Sequence, residues 1–311
     1  MTPVQDLSAN PNQNPTPPRV QPSGEVILRY PEGATYGDPN LGTLFFSARP
    51  QPLPSFTPGL LSSLRQAADD ARALIRHDLA EQGTSNWKNL VISSEWPGVF
   101  SLGGDLSLFV DAIRAQDREG ITRYATECVE LIYNWSRALD LPATSITLLE
   151  GTAQGGGLEM ALASNLVVAE RGVQLGFPET TFGLFSGMGA LHYMSQRISM
   201  GEAQKIFLSG KYFTAEEFHE RGLIDVLAEP GEGHHALLDI LRDSDRKRHA
   251  REAVRLVRGQ VNPVRYEDLL ATVHYWVDAA LTLSERELKL MERILKRQRH
   301  KLIDPQSESR D

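Results

Sequence analysis

A short apolar strand, Ser145–Leu149, runs toward three consecutive glycines and then a helical stretch that carries a glutamate, Gly155-Gly156-Gly157-Leu158-Glu159. No other feature narrows the possible folds as much. Three residues without a Cβ can turn tightly and admit another backbone or a ligand, but they sustain neither a strand nor a helix interior. A strand that reaches such a turn and continues as a helix is half of a parallel βαβ unit. The pattern recurs: Leu90–Ser94 reads as a strand, Gly98–Gly104 as a loop, and Asp105 as an N-cap for the helix after it. Strands alternating with helices predict an α/β fold with parallel pairing.

A glycine turn at a helix start also builds phosphate-binding loops. Neither common version fits here. No Gly-Lys-Ser/Thr follows, and Gln154–Glu159 does not supply Gly-x-Gly-x-x-Gly. Close packing of helix on strand would also use three glycines. Their company favours chemistry. Glu159 falls in the first helical turn, where the macrodipole favours a carboxylate. A second carboxylate follows in Phe177-Pro178-Glu179. Two bare loops, Gly103-Gly104 and Gly155-Gly156, can turn two N–H groups onto one oxygen and so form an oxyanion hole. Two carboxylates in unlike surroundings can divide the roles of base and acid at the carbons beside a carbonyl.

The remaining chain organises around this centre. Residues 1–23 hold six of the eighteen prolines and almost no large apolar residues, which predicts a disordered tail. Glu25–Tyr30 and Leu41–Ala48 read as strands joined by a Gly/Pro/Asp/Asn loop. Thr57 and Pro58 open a helix to about Leu79, and Arg118–Leu139 forms a long amphipathic helix with Cys128 on its apolar face. Leu166–Ala169 is another strand. Ser199…Glu202 and Thr214…Glu217 are capping-box patterns, and Gly222 ends the second helix. Residues 235–303 read as helical, divided at Pro263. The expected division is a tail at 1–23, a core at 24–233, a helical region at 234–303 and a flexible end at 304–311.

Composition excludes some function classes. With a formal charge of −8, the chain lacks the basic footprint of non-specific nucleic-acid binding. One cysteine permits neither an intrachain disulfide nor a cysteine zinc site. Without an apolar run long enough to span a membrane, and without a secretory signal, the expected location is the cytoplasm.

Taken in order, Gly103-Gly104-Asp105, Glu150 to Glu159, Phe177-Pro178-Glu179 and Phe213-Thr214-Ala215…Gly222-Leu223-Ile224-Asp225 resemble the crotonase (enoyl-CoA hydratase/isomerase) superfamily over roughly residues 25–230. The resemblance implies a crotonase-like fold of repeated ββα units, here with a helical C-terminal extension. It implies oxyanion-hole amides at Gly104 and Gly156, catalytic carboxylates at Glu159 and Glu179, and no metal or organic cofactor. A trimer or a pair of trimers is implied too. Leu102–Phe109, Ser186-Gly187-Met188-Gly189-Ala190 and Leu270–Leu283 further resemble bacterial diffusible signal factor synthases of the RpfF type. That resemblance implies dehydration of a 3-hydroxyacyl chain on acyl carrier protein to a cis-2-enoyl thioester. Hydrolysis would then release a fatty-acid quorum-sensing signal, and a cognate sensor protein would be a partner. The alternatives are an ordinary enoyl-CoA hydratase acting on acyl-CoA and a non-catalytic sensor-binding homologue. Met188 and Trp276 are the candidate walls of the acyl slot, though core packing would use them equally. Seven cations from Arg286 to Lys301 offer a docking face for an acidic carrier or simply a solvated helix face. One departure stands out: Ser186 occupies a position where the resemblance leads one to expect proline, and this bears on the shape of the acyl pocket.

Overall fold

The computed structural model describes residues 24–303; the tails expected at 1–23 and 304–311 lie outside the described residues. The chain opens with strands β1 (Glu25–Tyr30), β2 (Gly33–Asp38) and β3 (Thr43–Ala48), followed by helix α1 (Pro58–Gln82). Next come β4 (Asn89–Ser94), β5 (Val99–Ser101), α2 (Leu106–Arg114) and α3 (Arg118–Ser136). A further unit runs through β6 (Thr144–Leu149), β7 (Thr152–Gln154) and α4 (Gly156–Ala163). Then β8 (Leu166–Glu170) and β9 (Gln174–Gly176) lead into a 3₁₀ turn at Pro178–Phe182. The remaining elements are α5 (Ala190–Met194), α6 (Met200–Ser209), β10 (Tyr212–Thr214), α7 (Ala215–Glu220), β11 (Val226–Ala228), α8 (Gly233–Val261), α9 (Tyr266–Leu281) and α10 (Glu285–Ile303). The fold is α/β and crotonase-like, with a helical C-terminal region. No helix of the described residues is long and apolar enough to cross a membrane.

Local chemistry explains most boundaries. The Thr57 side chain accepts the amide of Leu60 and Pro58 fills the first turn of α1. Asp105 accepts the amides of Ser107 and Leu108, and α7 has a complete capping box at Thr214 and Glu217. At Ser199 only the forward half of the expected box forms, from Glu202 N–H to the serine hydroxyl. The segment between the first two strands, expected to be a loop, contains β2. Its Ala34-Thr35-Tyr36 core is short and lies among turn formers, so only pairing with both neighbours reveals it as a strand.

Two sheets share the core. One has the order β1-β2-β3-β4-β6-β8-β11, parallel from β3 onward, and the other the order β10-β9-β7-β5. β3 and β4 are buried at every position, as strands covered on both faces must be. On one face, Phe45, Val91, Ile146, Leu148 and Val168 pack against Leu237 and Leu241 of α8. The short strands β5, in the stretch expected to be a loop, β7 and β9 position the site. Each winding of the chain adds one strand to the large sheet and one to the small. In the small sheet β5 pairs in parallel with β7 (Ser101 opposite Ala153), and β7 with β9 (Gln154 opposite Gly176). Parallel neighbours end at the same edge. The loops after β5, β7 and β9 therefore stack side by side, and these loops carry Gly103-Gly104, Gly155-Gly156 and Glu179.

Candidate active site

The two glycine loops touch. A Cβ on Gly103 would lie 3.0 Å from the carbonyl oxygen of Gln154 and 3.2 Å from the nitrogen of Gly156. Neither the Gly104 nor the Gly156 amide has an acceptor among the described residues. Around Gly104 the backbone is braced from behind. Phe56 N–H donates to Gly103 O at 2.8 Å. The Tyr124 hydroxyl accepts Asp105 N–H at 3.2 Å and donates to Phe56 O at 2.6 Å. The Phe109 ring lies so close that a Cβ on Gly104 would come 2.5 Å from its Cζ.

Glu159 and Glu179 flank the second loop. Every residue of α4 is buried, Glu159 to 1% exposure. Its Oε1 accepts the amides of Met188 and Ala190, each at 2.8 Å. Burial, with the Glu179 charge in second place, pushes its carboxyl up to about 8, although the three amides of residues 188–190 pull the other way. Glu179 sits in the 3₁₀ turn with Oε1 against Gly155, whose φ of +50° and ψ of −128° suit glycine alone. The residue as a whole keeps some exposure, yet Oε2 is enclosed and has no hydrogen-bond partner. Burial pushes this carboxyl up to about 7, against the pull of the neighbouring Ser186 hydroxyl.

Met188 and Trp276 lie next to these groups. A Cβ on Gly156 would come 2.6 Å from the Met188 sulfur, and one on Gly187 would come 2.7 Å from the Trp276 indole. The Trp276 ring meets Phe109 edge to face at 5.0 Å between centroids. Both side chains also belong to the continuous core, so packing and wall-building coincide here. The six residues singled out from sequence thus occupy one region.

Several neighbours were not legible beforehand. The Gln154 side chain donates to Leu102 O at 3.1 Å and accepts from the Tyr212 hydroxyl, tying the two glycine loops to each other and to β10. Tyr124 belongs to the buried face of α3. Nothing in a lone Gln or Tyr marks such a role; the strand register creates it. Ser186, the departure noted in the sequence, interacts with Glu179. Cys128 is a buried core residue whose thiol burial pushes well above the usual range. Asp225 holds Val167 N–H at 2.7 Å and pairs with the buried Arg197 at 3.0 Å, a structural role away from the carboxylates.

The arrangement can bind a carbonyl oxygen at two free amides and place two protonatable carboxyls beside it. Residues 49–255 match the enoyl-CoA hydratase/isomerase family model. A peroxisomal fatty acid β-oxidation multifunctional protein of Arabidopsis thaliana is 30% identical over 200 residues, covering 64% of this chain and 26% of that protein. The fatty acid oxidation complex subunit alpha of Pseudomonas syringae pv. tomato is 29% identical over 199 residues, again 64% of this chain and 26% of that one. The chain thus spans between 26% and 50% of the length of the first curated relatives it matches. Among solved structures, human mitochondrial Δ3-Δ2-enoyl-CoA isomerase aligns with a TM-score of 0.69 at 17% identity, covering 87% of this chain and 99% of that one. Pseudomonas aeruginosa DspI aligns with a TM-score of 0.60 at 22% identity, covering 89% and 97%. At these identities the solved structures speak to fold alone.

Proposed function

The chain belongs to the enoyl-CoA hydratase/isomerase family, and from that premise we propose that it adds water to, or removes it from, C2 and C3 of an acyl thioester. The thioester carbonyl sits on the amides of Gly104 and Gly156. In dehydration, one glutamate takes the C2 proton while the amides hold the enolate oxygen. The other glutamate gives its proton to the C3 hydroxyl, which leaves as water. Hydration is the reverse. The observation that carries this reading is the pair of enclosed carboxyls, Glu159 and Glu179, both pushed upward by burial, beside two amides without acceptors among the described residues. Two such carboxyls resist carrying two negative charges side by side, so the pair retains a proton near neutral pH and can supply both an acid and a base. The test is hydration of 2-enoyl-CoA esters of several chain lengths, followed by loss of the conjugated thioester absorbance. Glu159→Gln and Glu179→Gln should each lower the rate by about 10²–10⁴-fold while the fold persists. Full activity in either variant would end the proposal.

A narrower reading takes the substrate from acyl carrier protein and releases a free cis-2-enoic acid, with water attacking the same carbonyl on the same two amides. One observation favours it. α10 packs on α2, which begins just after Gly104, and on the 3₁₀ turn that carries Glu179. Along one side α10 exposes Arg286, Lys289, Arg293, Lys296 and Arg297, a cationic strip suited to an acidic carrier. Free cis-2-enoic acid formed from a 3-hydroxyacyl carrier substrate supports this reading; unchanged turnover after charge reversal at Lys296 and Arg297 counts against it. A cognate sensor protein and a trimeric or hexameric assembly belong to the same proposal, tested by pull-down with the sensor and by light scattering.

A further inference from the structure

Ser186 lies in the segment that leads from the 3₁₀ turn bearing Glu179 to the amides of Met188 and Ala190, which hold Glu159. The segment has little freedom. Gly187 is pressed under the Trp276 indole, and Met188 is tied to Glu159. Ser186 is only 5% exposed, and its hydroxyl oxygen is enclosed without a hydrogen-bond partner. The same is true of Glu179 Oε2, the oxygen turned away from Gly155. The two groups are neighbours, close enough for the hydroxyl to act on the carboxyl, but short of the geometry of a closed hydrogen bond. Enclosed polar atoms are nearly always paired. Two enclosed and unpaired atoms on interacting side chains, one able to donate and one able to accept, form a contact waiting to close.

We propose that Ser186 is a positioning residue for Glu179: its hydroxyl closes onto Oε2 when the carboxylate is ionised and holds it as the proton acceptor. A serine hydroxyl both donates and accepts. Once Glu179 has taken the substrate proton, the hydroxyl turns a lone pair toward the new O–H, so one side chain serves both protonation states. The inference rests on the reading of Glu179 as a proton carrier. Its other titratable neighbours are Glu159 on α4 and Tyr212 on β10, while Glu287 of α10 lies against Gly183 at the end of the same turn. None of these donates a hydrogen bond to Oε2.

The experiment is the pH dependence of kcat/KM for enoyl-CoA hydration in Ser186→Ala, Ser186→Thr and wild type. Loss of a donor to the ionised form raises the proton affinity of Glu179. The acidic limb in Ser186→Ala should therefore move to higher pH, with a loss of about tenfold below it and a smaller loss above it. Ser186→Thr, which keeps the hydroxyl, should restore the limb. In a Glu179→Gln background, Ser186→Ala should cost nothing further. Infrared titration of the carboxyl stretch without substrate gives a readout independent of turnover, with the Glu179 band moving to higher pH in Ser186→Ala. If Ser186→Ala does not fold, Ser186→Gly carries the same measurements. An unmoved limb and an unmoved band, with Glu179→Gln inactive, would overturn the role of Ser186 alone. Full activity in Glu179→Gln would instead overturn the functional reading beneath it.

Discussion

On either side of the second glycine loop sits a glutamate, and the two are held in opposite ways. Glu159 is set in a wholly buried helix and gripped by two main-chain amides at 2.8 Å. Glu179 stands on a 3₁₀ turn, with one oxygen against the bare Cα of Gly155 and the other unpaired beside a serine. Main-chain donors belong to the fold and cannot be deleted by changing a side chain. A glycine and a serine hydroxyl can be. The Glu159 end is therefore fixed by architecture, whereas the Glu179 end is adjustable by sequence, and variation within such a site should collect there.

The largest test of this contrast is Gly155→Ala. Its Cβ would collide with Glu179 Oε1 at a backbone geometry that only glycine tolerates. The expected result is a fall in kcat on the order of 10²–10³-fold, with destabilisation of about 1–3 kcal/mol in a denaturant melt. Gly172→Ala is the control: it shares a positive φ of +79° but has open space around it, so it should cost stability without activity. Equal activity in the two variants would show that Glu179 is not held at Gly155.

Next in size is the strut between the two glycine loops. Gln154→Ala removes the link between Leu102 O and the Tyr212 hydroxyl, and should lower kcat about tenfold with KM little changed. A rise in KM alone would mean that the strut shapes binding rather than the alignment of the amides.

Stability should follow pH with a definite sign. Both glutamates have folded values above the ordinary 4.5, at about 8 and about 7. Their contribution to stability is present in full below about pH 4.5 and is lost as pH rises through those two values. The thermal midpoint of the substrate-free protein should therefore fall between pH 6 and pH 9. Glu159→Gln and Glu179→Gln should each flatten that fall. A wild-type midpoint that climbed over the same range would contradict the enclosed state of both groups. The smallest expected effect is that of Trp276→Phe, which keeps an aromatic cover on Gly187 but narrows it. A severalfold change in chain-length preference, with the pH profile unmoved, would separate the apolar wall from the carboxylates.

Much of the fold could be read locally. Thr57 with Pro58, Asp105, and Thr214 with Glu217 announce their helices because capping is a matter of a few adjacent residues. β4, β6 and β8 were visible as apolar runs between turn formers. β5, β7, β9 and β10 were not, since each is three residues long, nor was β2, which lies among turn formers; all become strands only through their partners. The candidate site divides in the same way. Gly155 to Glu159 and Glu179 form a pattern along the chain, but Gln154, Tyr212 and Tyr124 form one only across it. Ser186 stands out along the chain as a departure, but its interaction with Glu179 is visible only in the fold.

By itself the sequence determined which segments could be helices or strands, where bare backbone was required and which carboxylates stood near it, because these depend on propensity, capping and spacing within a few residues. Only the tertiary structure decided that the loops after β5, β7 and β9 stack at one edge, which atom each carboxyl faces and how tightly each holds its proton. Those properties arise from parallel pairing between strands some 20 to 50 residues apart and from the exclusion of water, and neither is written in any single segment of the chain.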